Sequence, residues 1–82
     1  MIRLLYFASL RERLGRGGET LEANPGSVAA LRTELAARGD VWAEVFGEEQ
    51  RVLAAVNQEM AGTDQPIGDG DEVGFFPPVT GG

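Results

Sequence analysis

The chain has 82 residues, of which 43% are hydrophobic and 24% charged, so it supports one folded domain but neither a second core nor an enclosed active site. Seven basic and thirteen acidic residues give a net charge of −6, which repels phosphate backbones and argues against nucleic-acid binding. The sequence has no Cys and no His, and all its basic residues are Arg, which excludes thiol, imidazole and lysine chemistry from the side chains.

The first eight residues are rich in apolar and aromatic side chains and predict a β-strand. Strand alternation places Tyr6 on one face and Phe7 on the other, so both faces of this strand are apolar. Ser9, followed three residues later by Glu12, has the form of a capping box and predicts a short helical turn over residues 9–14 that ends at Gly15.

Residues 19–23 alternate weakly and predict the returning strand of a hairpin, which the Asn-Pro-Gly sequence at 24–26 breaks. The main helix is predicted to follow. Ser27 is a suitable N-cap, and Gly39 is suited to the C-terminal end. Three apolar residues recur at helical spacing between them: Val28, Leu31 and Leu35.

A second short helical turn is predicted over residues 40–46, with Asp40 as its cap and Gly47 as its stop. Trp42 lies in this turn, and we interpret it as an anchor in the core. Glu48 and Glu49 then indicate a solvated loop.

The C-terminal part predicts three further strands, at residues 51–56, from Met60 as a short edge strand, and at residues 72–76. Tight turns at residues 57–59 and 69–71 separate them. Strands grouped around a single helix favour an α+β fold, in which a mixed sheet carries its main helix on one face.

The last residues form an extended tail. Phe76 and Pro77 each precede a proline, which biases both toward extended geometry. Residues 77–82 can reach at most about 20 Å, far enough to thread a terminal group into a partner's pocket. Gly81 and Gly82 lack Cβ atoms and would pass through a channel too narrow for other residues.

The ending DGDEVGFFPPVTGG, residues 69–82, strongly resembles the C-terminus of the family of molybdopterin synthase sulfur-carrier subunits. Residues 6–8, 11–12, 31–32, 42 and 53–58 are similar to that family as well, so the resemblance spans the chain. It implies a ubiquitin-like β-grasp fold, here a single domain of residues 1–82 with residues 76–82 as a flexible diglycine tail.

The resemblance also implies a mechanism in which a ubiquitin-activating-type adenylyltransferase uses ATP to adenylate the carboxylate of Gly82. A sulfur donor then converts the carboxylate into a thiocarboxylate. A large catalytic subunit receives the tail, and sulfur passes to cyclic pyranopterin monophosphate. The implied complex is a heterotetramer of two small and two large subunits. The chain itself is expected to bind no cofactor or metal and to leave catalytic side chains to its partners.

Under this implied mechanism Gly82 is the covalent site, and Gly81 gives the partner enzymes access to it. The predicted partner-binding residues are Phe7, Arg11, Phe76, Pro77, Pro78, Val79 and Thr80. Phe7 and Phe76 are included because alternation places them on the face opposite to Tyr6 and Phe75, where an apolar patch would be exposed if the helix covers only one face.

Arg11, like Arg13, equally fits a solvated surface charge. Asp69 and Asp71 indicate a turn rather than a metal site.

No apolar run approaches the roughly 20 residues of a membrane span, and the chain does not begin with the pattern of a signal peptide. We therefore expect a cytoplasmic protein without a membrane partner.

Three other functions remain open at this point. Carriers that feed thiamine synthesis or tRNA thiolation share the fold and the diglycine end. A protein modifier would instead join Gly82 to lysines of its targets. A plain interaction module would have an idle tail.

Overall fold

The computed structural model describes residues 1–47 and 51–78. Within these residues the chain forms five strands and three helices. In chain order they are β1 (Ile2–Tyr6), α1 (Ala8–Leu14), β2 (Gly18–Leu21), α2 (Val28–Ala36), α3 (Asp40–Phe46), β3 (Leu53–Val56), β4 (Glu59–Ala61) and β5 (Glu72–Phe76).

The strands form one mixed sheet in the order β2-β1-β5-β3-β4. The neighbouring strands β1 and β5 run parallel, with Tyr6 opposite Phe75, while every other neighbouring pair is antiparallel. The predicted mixed sheet is thereby confirmed. The strand that leads into the tail is the central strand, held by hydrogen-bonded neighbours on both sides.

The core lies between one face of the sheet and the helices. Strand alternation turns Leu4, Tyr6 and Phe75 toward this covered face, where each is at most 1% exposed. The predicted apolar positions of the main helix, Val28, Leu31 and Leu35, are likewise buried there. Burial of each such large apolar side chain contributes about 1.5–3 kcal/mol, so this layer holds the sheet and helices together.

The main helix begins where the sequence predicts. Ser27 has an extended backbone, with φ −152° and ψ 164°, and its Oγ accepts a hydrogen bond of 3.1 Å from the amide of Ala30. α2 ends at Ala36 with Ala37 as its C-cap, so Gly39, predicted as the residue directly after the C-cap, lies one residue further along. Gly39, at φ 82°, instead lies in the turn that leads into α3.

The two other predicted caps are wrong. Ser9 lies inside α1, which begins at Ala8, and the extended residue before this helix is Phe7. Asp40 is the first helical residue of α3, whose capping position is Gly39, and neither helix has a side-chain cap hydrogen bond. A capping side chain must sit on an extended backbone just outside the helix, and neither Ser9 nor Asp40 occupies that position.

Strand boundaries differ from prediction by one or two residues. β2 covers Gly18–Leu21 instead of residues 19–23, and β3 begins at Leu53 instead of residue 51. β4 begins at Glu59 because the reversal before it takes only two residues, Asn57 at φ 50° and Gln58 at φ 71°. Two positive φ values in succession mark the tight hairpin turn that matches the twist of paired strands. The predicted loop at Glu48 and Glu49 lies outside the described residues.

Candidate functional site

The tail leaves the sheet from the end of its central strand. β5 ends at Phe76, and the half-buried Pro77 and Pro78 that follow are the last residues of the tail that the structure describes. The other predicted site residues of the tail, Val79, Thr80, Gly81 and Gly82, lie outside the described residues. Their roles stay predictions.

The sheet face opposite the helices carries an apolar patch. Because residues paired across neighbouring strands point to the same face, the ladder pairs place Leu5, Gly74, Ala55 and Met60 in one row across four strands. A second row toward the tail pairs Phe76 with Leu53, and Phe7, which follows β1, lies on the same face with its ring against Gly74. We call this surface the open-face patch: Leu5, Phe7, Leu53, Ala55, Met60, Gly74 and Phe76.

Exposure confirms the alternation predicted from the sequence. Tyr6 is 1% and Phe75 0% exposed on the covered face, whereas Phe7 on the open face is 47% exposed. Phe76 is half-buried and Met60 is 66% exposed. Large apolar side chains that stay this accessible in a contiguous patch mark a surface suited to binding a partner.

α1 follows Phe7 directly and borders the patch where the tail begins. Arg13 of α1 forms an exposed ion pair of 3.3 Å with Glu44. Among residues 1–47 and 51–78, no carboxylate lies within ion-pair distance of Arg11, whose side chain runs along the turn at Gly17. Within the described residues Arg11 is therefore a cation without an ion-pair partner, in the helix that follows Phe7, while Arg13 is paired with Glu44.

A polar network on the covered side holds the first strand against the helices. The hydroxyl of Tyr6 donates to Oε2 of Glu19 at 2.8 Å. The guanidinium of Arg38 donates to both carboxylate oxygens of Glu19, at 2.8 and 2.9 Å. Hydrogen bonding from Arg38, assisted by that from Tyr6, lowers the pKa of Glu19. Burial, together with the hydrogen bond to Glu19, raises the pKa of Tyr6 well above its ordinary value of 10.0.

Trp42 borders this network and packs against the core, as the sequence predicts, although its ring is only half-buried. Its half-buried ring packs against Tyr6, with ring centroids 5.6 Å apart, and lies under the guanidinium of Arg38 at 4.4 Å. Arg16 lies over the same ring at 5.6 Å. An indole half-exposed to two guanidinium groups gains cation–π attraction that a fully buried position would forgo.

The two aspartates near the end of the chain form a turn, as predicted. Asp71 accepts hydrogen bonds from the amide of Gly68 at 2.8 Å and from Asn57 at 3.1 Å, and these bonds lower its pKa. Asp69 pairs with the amino group of Met1. In the described part of the chain, no group of three or more acidic residues is placed to hold a metal ion.

Among the described residues the geometry defines a surface suited to binding a partner. The open-face patch is apolar; the exposed Arg3, two residues before Leu5 on the same face of β1, lies at its border, and Arg11 lies in the helix that follows Phe7. A groove of about 450 Å³ between α2 and α3 lies on the other side of the sheet, and neither Pro77 nor Pro78 lines it. None of the described helices has both the length and the apolar character needed to cross a membrane.

A mixed five-stranded sheet with one main helix on its covered face, and with the last strand of the chain at its centre, defines a ubiquitin-like β-grasp protein. The predicted fold class is confirmed. The model of the ThiS family matches residues 4–82, and the chain belongs to that family.

The chain is also similar to individual relatives over its full length. The chain is 49% identical over 82 residues to "Molybdopterin synthase sulfur carrier subunit" of Escherichia coli (strain K12), with 100% of both chains covered. It is 40% identical, again over 100% of both chains, to the protein of the same name from Haemophilus influenzae. The solution structure of the Haloferax volcanii HVO 2177 protein superposes with a TM-score of 0.79 at 28% identity, covering 99% of this chain and 85% of that one. The family resemblance read from the sequence is thus confirmed.

Proposed function

We propose that this protein is the sulfur-carrier subunit of a molybdopterin synthase and that its Gly82 carboxylate carries the sulfur. The observation that carries the proposal is the full-length 49% identity to a sulfur-carrier subunit of that synthase. The geometry supports it, because the central strand delivers the Pro77-Pro78 segment at the edge of an exposed apolar patch. A carrier needs this combination of a docking surface and a projecting end.

Activation must come from outside the chain. A carboxylate is a poor electrophile, so an adenylyltransferase of the ubiquitin-activating type joins it to the AMP portion of ATP and releases pyrophosphate. A sulfur donor then supplies hydrosulfide, which attacks the acyl carbon; AMP leaves, and a thiocarboxylate remains on Gly82. The thiocarboxylate is ionised at neutral pH and is a ready nucleophile, for the same reason that thiolate is the reactive form of cysteine. Gly81 gives the partner enzymes access to it.

The large catalytic subunit receives the tail, and sulfur passes from it to cyclic pyranopterin monophosphate. Two such transfers build the dithiolene, in a complex of two small and two large subunits. We propose that Phe7, Phe76 and the two prolines dock on this subunit, with Arg11 meeting a carboxylate of the partner. Exposed aromatic residues are the typical energetic centre of such interfaces. The stiff Pro-Pro start of the tail lowers the entropy cost of inserting it.

The covalent step is tested by intact-mass analysis of the protein after incubation with the activating enzyme, ATP and a sulfur source. We expect a mass gain equal to the replacement of one oxygen by sulfur, located on Gly82. The variant that lacks Gly81 and Gly82 is the control and should gain nothing. If the complete protein never acquires sulfur at its last residue, the carrier function is wrong.

The pathway is tested by adding the large subunit and the pterin precursor to the thiocarboxylated protein. Formation of the dithiolene supports the proposal. A thiocarboxylate that forms but yields no dithiolene would indicate a carrier for thiamine synthesis or tRNA thiolation. Gly82 found chiefly on lysines of other proteins in cell extract would indicate a modifier.

The docking surface is tested separately with Phe76→Ala, whose side chain belongs to the open-face patch. Loss of a central aromatic contact is expected to weaken affinity for the large subunit by about 2 kcal/mol. Thr33→Ala, on the exposed side of α2, serves as the control and should bind normally. Unchanged affinity of a folded Phe76→Ala protein would remove Phe76 from the interface.

A further inference from the structure

The ring of Phe7 lies directly over Gly74. Gly74 is buried although it belongs to the open face, because this ring covers it. A methyl group at residue 74 would lie 2.9 Å from Cε2 of Phe7, 3.8 Å from Cδ2 and 3.9 Å from Cζ. Carbon atoms in contact favour about 3.5–4.0 Å, so any side chain at residue 74 would displace the ring by roughly 1 Å.

The backbone on both sides of this contact is held in place. The amide of Phe7 donates to the carbonyl of Phe75 at 3.1 Å, and the carbonyl of Phe7 accepts from the amide of Leu10 at 3.1 Å. Gly74 lies in the central strand, paired with Leu5 on one side and Ala55 on the other. A clash between residues 7 and 74 is therefore relieved by movement of the Phe7 ring and not by movement of either strand.

We propose that Gly74 is a positioning residue that sets the place of the Phe7 ring on the docking surface and thereby determines affinity for the large subunit. This inference rests on the docking role of the open-face patch given under the proposed function. Because the Phe7 ring packs directly on the backbone of Gly74, it is held in one orientation. The partner therefore meets a preformed aromatic surface. Preorganisation of this kind lowers the ordering cost of binding. A side chain at residue 74 would displace the Phe7 ring away from the sheet and change the shape of the surface that the partner must match.

A purely structural role for Gly74 makes a different prediction. If the glycine only relieved crowding in the sheet, its replacement would lower stability without acting through Phe7. A double-mutant cycle separates the two roles, because it measures whether one residue acts through the other.

The cycle consists of wild type, Gly74→Ala, Phe7→Ala and the double variant, each titrated against the isolated large subunit by calorimetry. We expect Gly74→Ala to weaken binding about fivefold when Phe7 is present and less than about twofold when residue 7 is Ala. Gly62→Ala is the matched control, because a methyl group there meets nothing within 4 Å and the backbone φ is not in the left-handed region. It should bind as wild type does.

Proton NMR supplies a readout that a merely structural role would not move. In wild type the ring protons of Phe7 should show nuclear Overhauser contacts to the α-protons of Gly74, and a shift of the ring in Gly74→Ala should change the resonances of Phe7. Equal loss of affinity in both backgrounds, or no loss in either, overturns the positioning role. If Phe7→Ala alone binds as tightly as wild type, the docking role of Phe7 is wrong, and the positioning role is overturned with it.

Discussion

Replacement of Glu19 by Gln tests the polar network that holds β1 and β2 to the end of the main helix. The carboxylate accepts three hydrogen bonds, two from Arg38 and one from Tyr6, all between 2.8 and 2.9 Å. A glutamine keeps one acceptor oxygen but turns an NH2 group toward a guanidinium that can only donate. At least one of the Arg38 bonds is therefore lost, together with the charge.

The size of the stability loss expected for Glu19→Gln depends on how far the Glu19–Arg38 pair is shielded from water. Exposed ion pairs contribute about 0–1 kcal/mol, whereas hydrogen bonds to charged groups contribute about 1.5–3 kcal/mol each. The side chain of Glu19 is only 16% exposed and that of Arg38 is 31% exposed, which places the pair between these limits. We expect Glu19→Gln to lower the free energy of unfolding by about 2 kcal/mol at neutral pH. For a domain of this size, that loss corresponds to a fall in Tm of roughly 10 °C.

The stability lost in Glu19→Gln should decrease as the pH falls. The pKa of Glu19 in the folded protein lies below its ordinary value of 4.5, because Arg38 and Tyr6 donate to its charged form. The stabilisation is therefore fully present above pH 4.5 and declines as the pH falls through the folded pKa. Glu19→Gln has no carboxylate to titrate, so the stability difference from wild type should shrink on acidification.

The assay is urea unfolding followed by circular dichroism at several pH values between neutral and strongly acidic. Glu22→Gln is the control, because it makes the same change of charge at a neighbouring exposed position. A loss for Glu19→Gln no larger than that for Glu22→Gln would refute the reasoning. So would a loss that stays constant as the carboxylate is protonated.

Three further substitutions test the local structure, each by urea unfolding. Ser27→Ala removes the oxygen that caps the main helix and should cost about 1 kcal/mol, and a change near zero would show that the 3.1 Å bond to Ala30 does not contribute. Gln58→Gly should stabilise the protein by about 0.5–1 kcal/mol, because glycine adopts the φ of 71° without strain, and destabilisation would contradict this account of the turn. Leu31→Ala opens a cavity in the core and should cost about 2–5 kcal/mol, and a loss below 1 kcal/mol would mean that the layer collapses around it.

Regular spacing made much of the fold predictable. The alternation of Tyr6 with Phe7, and of Phe75 with Phe76, predicted which side chains face the core and which face solvent, because successive strand residues point to opposite faces. The helical spacing of the apolar residues after Ser27 similarly predicted the buried side of the main helix. The site prediction relied on the resemblance of residues 69–82 to a known family. Its Gly81 and Gly82 lie outside the described residues.

The structure differs from the predictions at residues whose local sequence pattern is compatible with more than one position in the fold. Ser9 and Asp40 both fit the composition rule for helix caps, but the backbone has already entered the helix at each of them. The apolar character of Trp42 predicted its packing against the core, where it contacts Tyr6 and Phe46. It did not predict the guanidinium groups of Arg16 and Arg38, which come from two other segments and lie over the ring.

The sequence by itself determined the order of the elements, the faces of its strands and its family, because these follow from residue spacing and from the order of residues along the chain. Only the tertiary structure decided which distant residues meet. The Glu19–Arg38 pair joins residues 19 positions apart, and the Phe7–Gly74 contact joins the first strand to the last. No local sequence pattern predicts either contact, because the first arises where the main helix packs on the β1–β2 hairpin and the second from the parallel pairing of β1 with β5.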